Sequence, residues 1–259
     1  MSTACKPENL PNLRDGKPGR LQRGGGHSVI DKASHTEQHA ASFNTTPHER
    51  PHVTDDRVHW NRKYSGDDEF NLPEDPIPEL ARRIDTLPEG RALDVATGTG
   101  RNAIYLAERG YSVEAVDISD EALKRARRRA NKREVDVNWH RVDLTDPEYD
   151  LETDAYDVIT VSFFAALDLL PTLKKALAPG GVLVYDHHLR SSDPIEIGPS
   201  NDRHCYRSND LLRACLDLTV LAYEERCREV NGGTAAVATL VARNSTGGAQ
   251  SYPNLQDTR

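Results

Sequence analysis

Long apolar runs are missing from these 259 residues. None approaches the ~20 consecutive residues needed to cross a bilayer, which argues against a membrane-spanning role. Cysteine is scarce too: Cys5, Cys205, Cys215 and Cys227 stand alone. No Cys-x-x-Cys spacing joins them and no secretory leader precedes them, so a reduced, cytoplasmic protein without a disulfide or metal framework is expected. Lysine is the third shortage, with 8 Lys against 25 Arg, while 24 Asp outnumber 17 Glu. That usage fits a high-GC or salt-adapted source.

Apolar residues make up only 37% of the chain, and the deficit is concentrated before residue 57 and after residue 243. The roughly 190 residues between can form a proper core. Residues 1–56 read as a disordered tail, 57–243 as one folded domain and 244–259 as a flexible tail. The net charge of −8 belongs to the domain, because residues 1–56 carry 7 basic against 7 acidic side chains. An acidic domain argues against general binding to nucleic acid or to an anionic membrane. The tail holds His35/His39 and His48/His52 at i, i+4 spacing, but no helix-forming context surrounds them and no metal site is assigned. Nothing selects between a monomer and a homodimer.

The informative stretch is Ala92-Leu93-Asp94-Val95-Ala96-Thr97-Gly98-Thr99-Gly100-Arg101-Asn102-Ala103. An apolar run ends near Asp94, two glycines follow, and helical spacing starts at once: strand, tight turn, helix. Gly98 and Gly100 permit positive φ and close approach of a ligand to the main chain. Amide groups at the opening helix then point into the gap. Two ligand classes use such a loop, dinucleotides and S-adenosylmethionine. Gly98, Gly100 and Ala103 satisfy the dinucleotide pattern loosely. Asp94 favours the second class, since a carboxylate inside the strand suits a cationic, amine-bearing ligand. An ordinary strand-to-helix turn is the plainer alternative.

The second strand, Tyr111 to Val116, ends in Asp117, with Ile118 behind it. A carboxylate there accepts hydrogen bonds from ribose hydroxyls and does not distinguish the two ligand classes. Ser119 caps a helix with acids in its first turn and Lys124, Arg125, Arg127, Arg128 and Arg129 further along, most simply a solvated basic face. Val137 to Arg141 and Tyr156 to Val161 read as further strands, the latter closed by Ser162-Phe163-Phe164. Leu167 to Leu177 reads as a helix, and Pro179-Gly180-Gly181 leads into the strand Val182 to Tyr185, which ends in Asp186-His187-His188. Leu189 to Ser208 lacks period and is long for a connection, so a lid is expected. Leu218 to Val230 and Thr234 to Val241 flank Asn231-Gly232-Gly233, a β-hairpin signal.

The Asp94 to Gly100 string resembles the first motif of class I S-adenosylmethionine-dependent methyltransferases, with Ala96 where the commonest form has a further glycine. Asp117, Asp143 and the terminal hairpin extend the resemblance over residues 57–243, and the Gly100 to Ala103 run is most similar to the tellurite-resistance-type branch. The resemblance implies an α/β fold, a Rossmann-like three-layer αβα sandwich whose seven-stranded, mostly parallel sheet closes with a C-terminal antiparallel β-hairpin. It implies S-adenosylmethionine as cofactor and a small-molecule methyl acceptor of the thiol, chalcogen oxyanion or amine class. Ala96, Thr97, Gly98, Gly100, Asn102, Ser162 and Phe163 would line the cofactor. Asp143 would accept from the adenine amino group with Leu144 on the ring, unless it is a turn aspartate before Pro147. Trp60 and Tyr64 would cover the cofactor, or merely pack as i, i+4 neighbours near Phe70. His187 or His188 could take a proton from an amine or hydroxyl acceptor, or serve only as strand-end histidines. Pro-Pro-Tyr after the fourth strand is absent, which weighs against nucleobase and glutamine acceptors. A nicotinamide-dependent oxidoreductase and a non-catalytic cofactor-binding module remain the alternatives.

Overall fold

The computed structural model describes residues 53–66, 74–199 and 201–245. The histidine pairs His35/His39 and His48/His52, Cys5, Phe70 and most of both expected tails lie outside the described residues. Helix α1 spans Val53–Ser65 and so begins four residues before the expected domain boundary.

Past α1 the chain alternates. α2 (Pro78–Arg83) runs through a 3-10 turn into β1 (Arg91–Val95), followed by α3 (Arg101–Ala107), β2 (Ser112–Asp117), α4 (Asp120–Lys132) and β3 (Asn138–Arg141). β4 (Tyr156–Ser162), α5 (Leu170–Ala176), β5 (Leu177–His188), α6 (Asp210–Ala214), β6 (Thr219–Val230) and β7 (Gly233–Arg243) complete it. Pro78 at the first position of α2 already has the helical φ and loses no hydrogen bond there. Ser119 caps α4 by accepting from the Ala122 N–H.

Seven strands form one sheet in the order β3-β2-β1-β4-β5-β7-β6. β1 to β5 run parallel, and β7 lies antiparallel to both β5 and β6, as the glycine-centred hairpin requires. Strand alternation divides the core. Leu93, Val95, Ile159, Val161, Leu183 and Tyr185 meet Leu170 and Leu173 of α5 and Leu211 of α6 on one side. Ala92, Val158, Val182, Val184 and Val241 meet Leu80 of α2 and Ala103 and Leu106 of α3 on the other. The layers are helix, sheet, helix, the expected Rossmann-like sandwich.

Two local expectations shift. α5 starts at Leu170 rather than Leu167. β5 starts at Leu177, so Pro179-Gly180-Gly181 lies inside the extended segment. Gly180 takes φ +84°, and its N–H and the Gly181 carbonyl both bond to Asn244, which pins the bend to the strand beyond. The expected lid is anchored where it begins and ends: Arg190 donates to the Tyr206 carbonyl and Tyr206 to the His188 carbonyl.

Candidate functional site

The parallel strands end together, and their carboxyl ends gather most of the expected site residues. Asp94 points toward α3 and is 1% exposed. One of its oxygens accepts from the Thr97 hydroxyl at 2.5 Å, the other from Thr160 at 2.6 Å and Asn102 at 3.3 Å. Burial raises its pKa and these three bonds oppose the rise. Asp94 thus ties the first strand, the loop after it, α3 and β4 into one unit.

The loop itself is held in left-handed backbone. Ala96 (φ +51°), Gly98 (φ +56°) and Gly100 (φ +81°) all lie there. Ala96 pays a steric penalty that a glycine would not. A Cβ on Gly98 would sit 3.0 Å from the Tyr64 hydroxyl, and one on Gly100 would sit 2.7 Å from the Trp139 ring. Gly100 therefore has a packing reason as well as a conformational one.

Asp117 closes the loop from the second strand. Its Oδ2 accepts from the Gly98 N–H at 2.8 Å and its Oδ1 from the Ser119 N–H at 2.9 Å. Each oxygen keeps a further lone pair. Burial raises its pKa, opposed by these backbone donors. Ile118 follows in the turn before Ser119. Asp143 lies one residue beyond Val142, whose N–H bonds the Asp117 carbonyl at 3.0 Å. Its Oδ1 accepts from the backbone and hydroxyl of Thr145, the turn role set out as an alternative above. Its Oδ2 is buried without a hydrogen-bond partner among the described residues. Leu144 is half-buried beside it.

Helix α1 lies against this edge. Asn61 Oδ1 accepts from the Ser119 hydroxyl at 2.8 Å and the Glu121 N–H at 3.3 Å. Tyr64 is buried, and burial followed by the Asp117 charge pushes its pKa well up. Trp60 lies 6.1 Å from the Tyr64 ring and beneath the Lys63 ammonium, 4.6 Å from the indole centre. Both expected cover residues therefore sit on one helix, and Tyr64 reaches the glycine loop.

Across β4 and β5 a second polar group assembles. Phe163 takes φ +55°, a costly conformation for a bulky residue. Its ring stacks on His188 at 4.4 Å and lies under the Arg101 guanidinium at 5.7 Å. Arg101 donates to the Ser162 hydroxyl at 2.5 Å and the Asp75 carbonyl at 3.1 Å. Asp186 has no exposed surface, and its Oδ2 accepts from Arg228 of β6. His187 Nε2 is 2.9 Å from the His204 carbonyl, which fixes the proton on Nε2 and leaves Nδ1 as a buried lone pair. Burial lowers the pKa of both His187 and His188 to about 4, so both are neutral at pH 7.

Asp94, Ala96, Thr97, Gly98, Gly100, Asn102, Asp117, Ile118, Asp143 and Leu144 thus share one edge with Tyr64. Ser162, Phe163, His187 and His188 form the adjoining wall. Arg101, Asp186 and Arg228 complete that wall without having been assigned a role from sequence. The one signal for Arg228 was an arginine in a strand whose hairpin partner is nearly all apolar.

Residues 92–181 match a family model described as a methyltransferase domain. That stretch of the chain is similar to a methyltransferase domain. Over 117 residues this domain is 36% identical to rat glycine N-methyltransferase, covering 38% of this chain and 40% of that protein. It is 40% identical over 102 residues to demethylmenaquinone methyltransferase of Thermus thermophilus, covering 36% of this chain and 45% of that protein. Glycine/sarcosine N-methyltransferase of Halorhodospira halochloris is 32% identical over 165 residues, 59% of this chain and 56% of that protein. The chain spans about half the length of these relatives. Among solved structures, TehB from Haemophilus influenzae superposes with a TM-score of 0.56 at 18% identity, covering 73% of this chain and 67% of that one. That likeness is one of fold.

S-adenosylmethionine is the cofactor of this fold family, and the residues present fit it. The Asp143 Oδ2 atom is a buried acceptor without a partner among the described residues, the Asp117 oxygens keep lone pairs, and a Cβ on Gly98 would crowd the Tyr64 hydroxyl at 3.0 Å.

Proposed function

We propose that this chain transfers the methyl group of S-adenosylmethionine to a small-molecule acceptor. The observation that carries the reading is the clasp of the Gly98 N–H on Asp117 beside the unpartnered Oδ2 of Asp143. A ribose diol and an exocyclic amine offer donors suited to those two acceptors. In this reading Asp117 holds the ribose, Asp143 the adenine amino group with Ile118 and Leu144 against the ring, and Gly98 and Gly100 the amino-acid portion. Tyr64 and Trp60 cover the cofactor, while Asp94, Thr97 and Asn102 keep the loop in shape. Arg101 and Ser162 face the methionine end.

When bound, the cofactor supplies a methyl group on a sulfonium, which an acceptor's lone pair takes by in-line displacement. The residues of this chain align the two partners and exclude water. A group titrating near 4 is a weak base at neutral pH, so His187 and His188 wall the site rather than take a proton. Thiolate and chalcogenide acceptors need no base, and an amine must arrive as its neutral form. Relatives named for glycine, sarcosine and demethylmenaquinone support a small acceptor.

Calorimetry with S-adenosylmethionine, its demethylated product and NAD tests the reading. Tight binding of the first two and weak binding of NAD is expected. Tighter NAD binding would make the protein an oxidoreductase, and cofactor binding without turnover on thiols, chalcogen oxyanions and amines would make it a binding module.

A further inference from the structure

The basic run of α4 has one member that a solvated helix face does not explain. Arg129 is half-buried, and its Nη1 donates to the Thr99 hydroxyl at 2.7 Å and the Thr99 carbonyl at 3.4 Å. No carboxylate among the described residues lies within ion-pair distance of it. The Glu74 charge reaches it only from farther off, and burial pushes its pKa down. A guanidinium taken from water without a close counter-charge is costly. An anionic ligand would supply what the chain does not.

Arg129 borders a cavity of about 340 Å³ bounded by α3, α4 and the segment before α2, the size of a small-molecule site. Lys132 and Arg133 join it from the same face of α4, at i+3 and i+4, and Arg109 enters from just past α3. Five basic side chains and three acidic ones line it, so it is positive on a chain whose net charge is −8. Of the acids, Glu74 and Asp75 are exposed, and Glu108 is shared by Arg133 at 3.2 Å and Arg109 at 3.8 Å. The Lys132 ammonium has no partner among the described residues, and Arg129 keeps its Nε and Nη2 groups unspent. A basic last turn complements the helix dipole, which accounts for exposed cations there but not for a half-buried one. Several guanidinium and ammonium donors around a small space suit a compact anion with many oxygens and more than one charge. A phosphate group meets that description, whereas a single carboxylate would leave most of the donors idle.

We propose that this cavity is a second ligand site, which takes a phosphate-bearing small molecule between Arg129, Lys132 and Arg133. Of the residues proposed to face S-adenosylmethionine, only Arg101 borders it. The two sites are nevertheless joined. Arg129 holds Thr99, which stands between Gly98 and Gly100 in a turn that the Gly100 N–H closes on the Thr97 carbonyl at 2.9 Å. Phosphate oxygens on the unspent donors of Arg129 offset its charge and keep it on Thr99, so the occupied site steadies the glycine loop and tightens cofactor binding. By linkage the cofactor tightens the anion by the same factor. This coupling rests on the methyltransferase reading, and the anion site does not.

The test titrates the full chain with inorganic pyrophosphate, and with ADP once S-adenosylhomocysteine fills the nucleoside cleft, which tells a free polyphosphate from a nucleotide. Pyrophosphate should bind the parent protein, and Lys132→Ala with Arg133→Ala should weaken it at least tenfold. Both positions are exposed, so their loss should cost little stability and leave S-adenosylhomocysteine affinity in phosphate-free buffer within twofold. Saturating pyrophosphate should tighten S-adenosylhomocysteine at least threefold on the parent and not on the double variant. Lys132→Ala alone, which breaks no ion pair of the described residues, should weaken pyrophosphate at least threefold and decides the matter where the double variant is unstable. Pyrophosphate that does not bind, or binds the variants as it binds the parent, would overturn the site. Binding that leaves S-adenosylhomocysteine affinity unchanged would overturn the coupling. A short RNA held far more tightly than either probe would overturn the small-molecule assignment in favour of a nucleic-acid backbone. Failure of S-adenosylhomocysteine to bind at all would overturn the cofactor reading instead, with the pyrophosphate result still deciding the anion site.

Discussion

Gly98 and Asp117 share one hydrogen bond of 2.8 Å, and each loses its purpose without the other. Gly98→Val would place a branched side chain in left-handed backbone and against the Tyr64 hydroxyl. Asp117→Ala would free two backbone N–H groups and remove the proposed ribose acceptor. Each should weaken S-adenosylmethionine binding at least tenfold, about 1.4 kcal/mol, by calorimetry. Unchanged affinity in both would remove the assigned pocket. His187 gives a prediction in pH. Its folded value of about 4 lies below the ordinary 6.5, so on acidification the unfolded chain takes up the proton first. Its contribution is level above pH 6.5 and unfavourable between 6.5 and about 4, with a slope of about 1.4 kcal/mol per pH unit. Urea unfolding of the parent should therefore lose stability relative to His187→Gln across that window. A constant difference would mean that the imidazole titrates normally. At this scale the sequence was half legible. The strand, loop and helix around Gly98 and Gly100 could be read because two glycines after an apolar run leave few other shapes, whereas Asp143 also takes the turn bonds to Thr145 that its neighbour Pro147 suggested. Phe163 gave no sign of its strained φ, since no side chain advertises left-handed backbone in advance.

Among the elements, α1 is joined to α4 chiefly through side chains. Asn61 accepts from Ser119, which in turn caps α4, and Arg125 of α4 donates to the Gly66 carbonyl. Asn61→Ala should cost about 1 kcal/mol in denaturant unfolding and raise amide exchange over Val53–Ser65. Unaltered exchange there would show that α1 is held by other contacts. The aromatic content of α1 was visible in the sequence, but its reach onto the glycine loop was not. The Arg101, Ser162, Asp186 and Arg228 group was unreadable too. Its members come from α3, β4, β5 and β6, more than 100 residues apart at the extremes, and only sheet register brings them together.

For the whole molecule, the make-up of the sheet, parallel strands closed by an antiparallel hairpin, was legible in the sequence, whereas the order of the strands is set by the crossovers and was not. The cofactor, not the core alone, should set its thermal stability. A ligand at 100 times its dissociation constant adds about 2.7 kcal/mol, and a domain of this size gains about 2–4 °C per kcal/mol. S-adenosylmethionine should then raise the melting temperature by about 5–10 °C, with NAD leaving it unmoved. Equal shifts from both would point to a nonspecific nucleotide effect.

β7 is wedged between β5 and β6 although it comes after both in the chain. The strand bearing Arg228 cannot join its neighbours until the last strand has slotted into place, so the arginine meets Asp186 only at the close of folding. A nascent polypeptide on the ribosome would own the edge from Asp94 to Asp143 well before it owned the contact between Asp186 and Arg228. Ending translation at residue 232 should accordingly yield a protein that keeps the edge proposed to hold the nucleoside but lacks the strand that flanks Asp186.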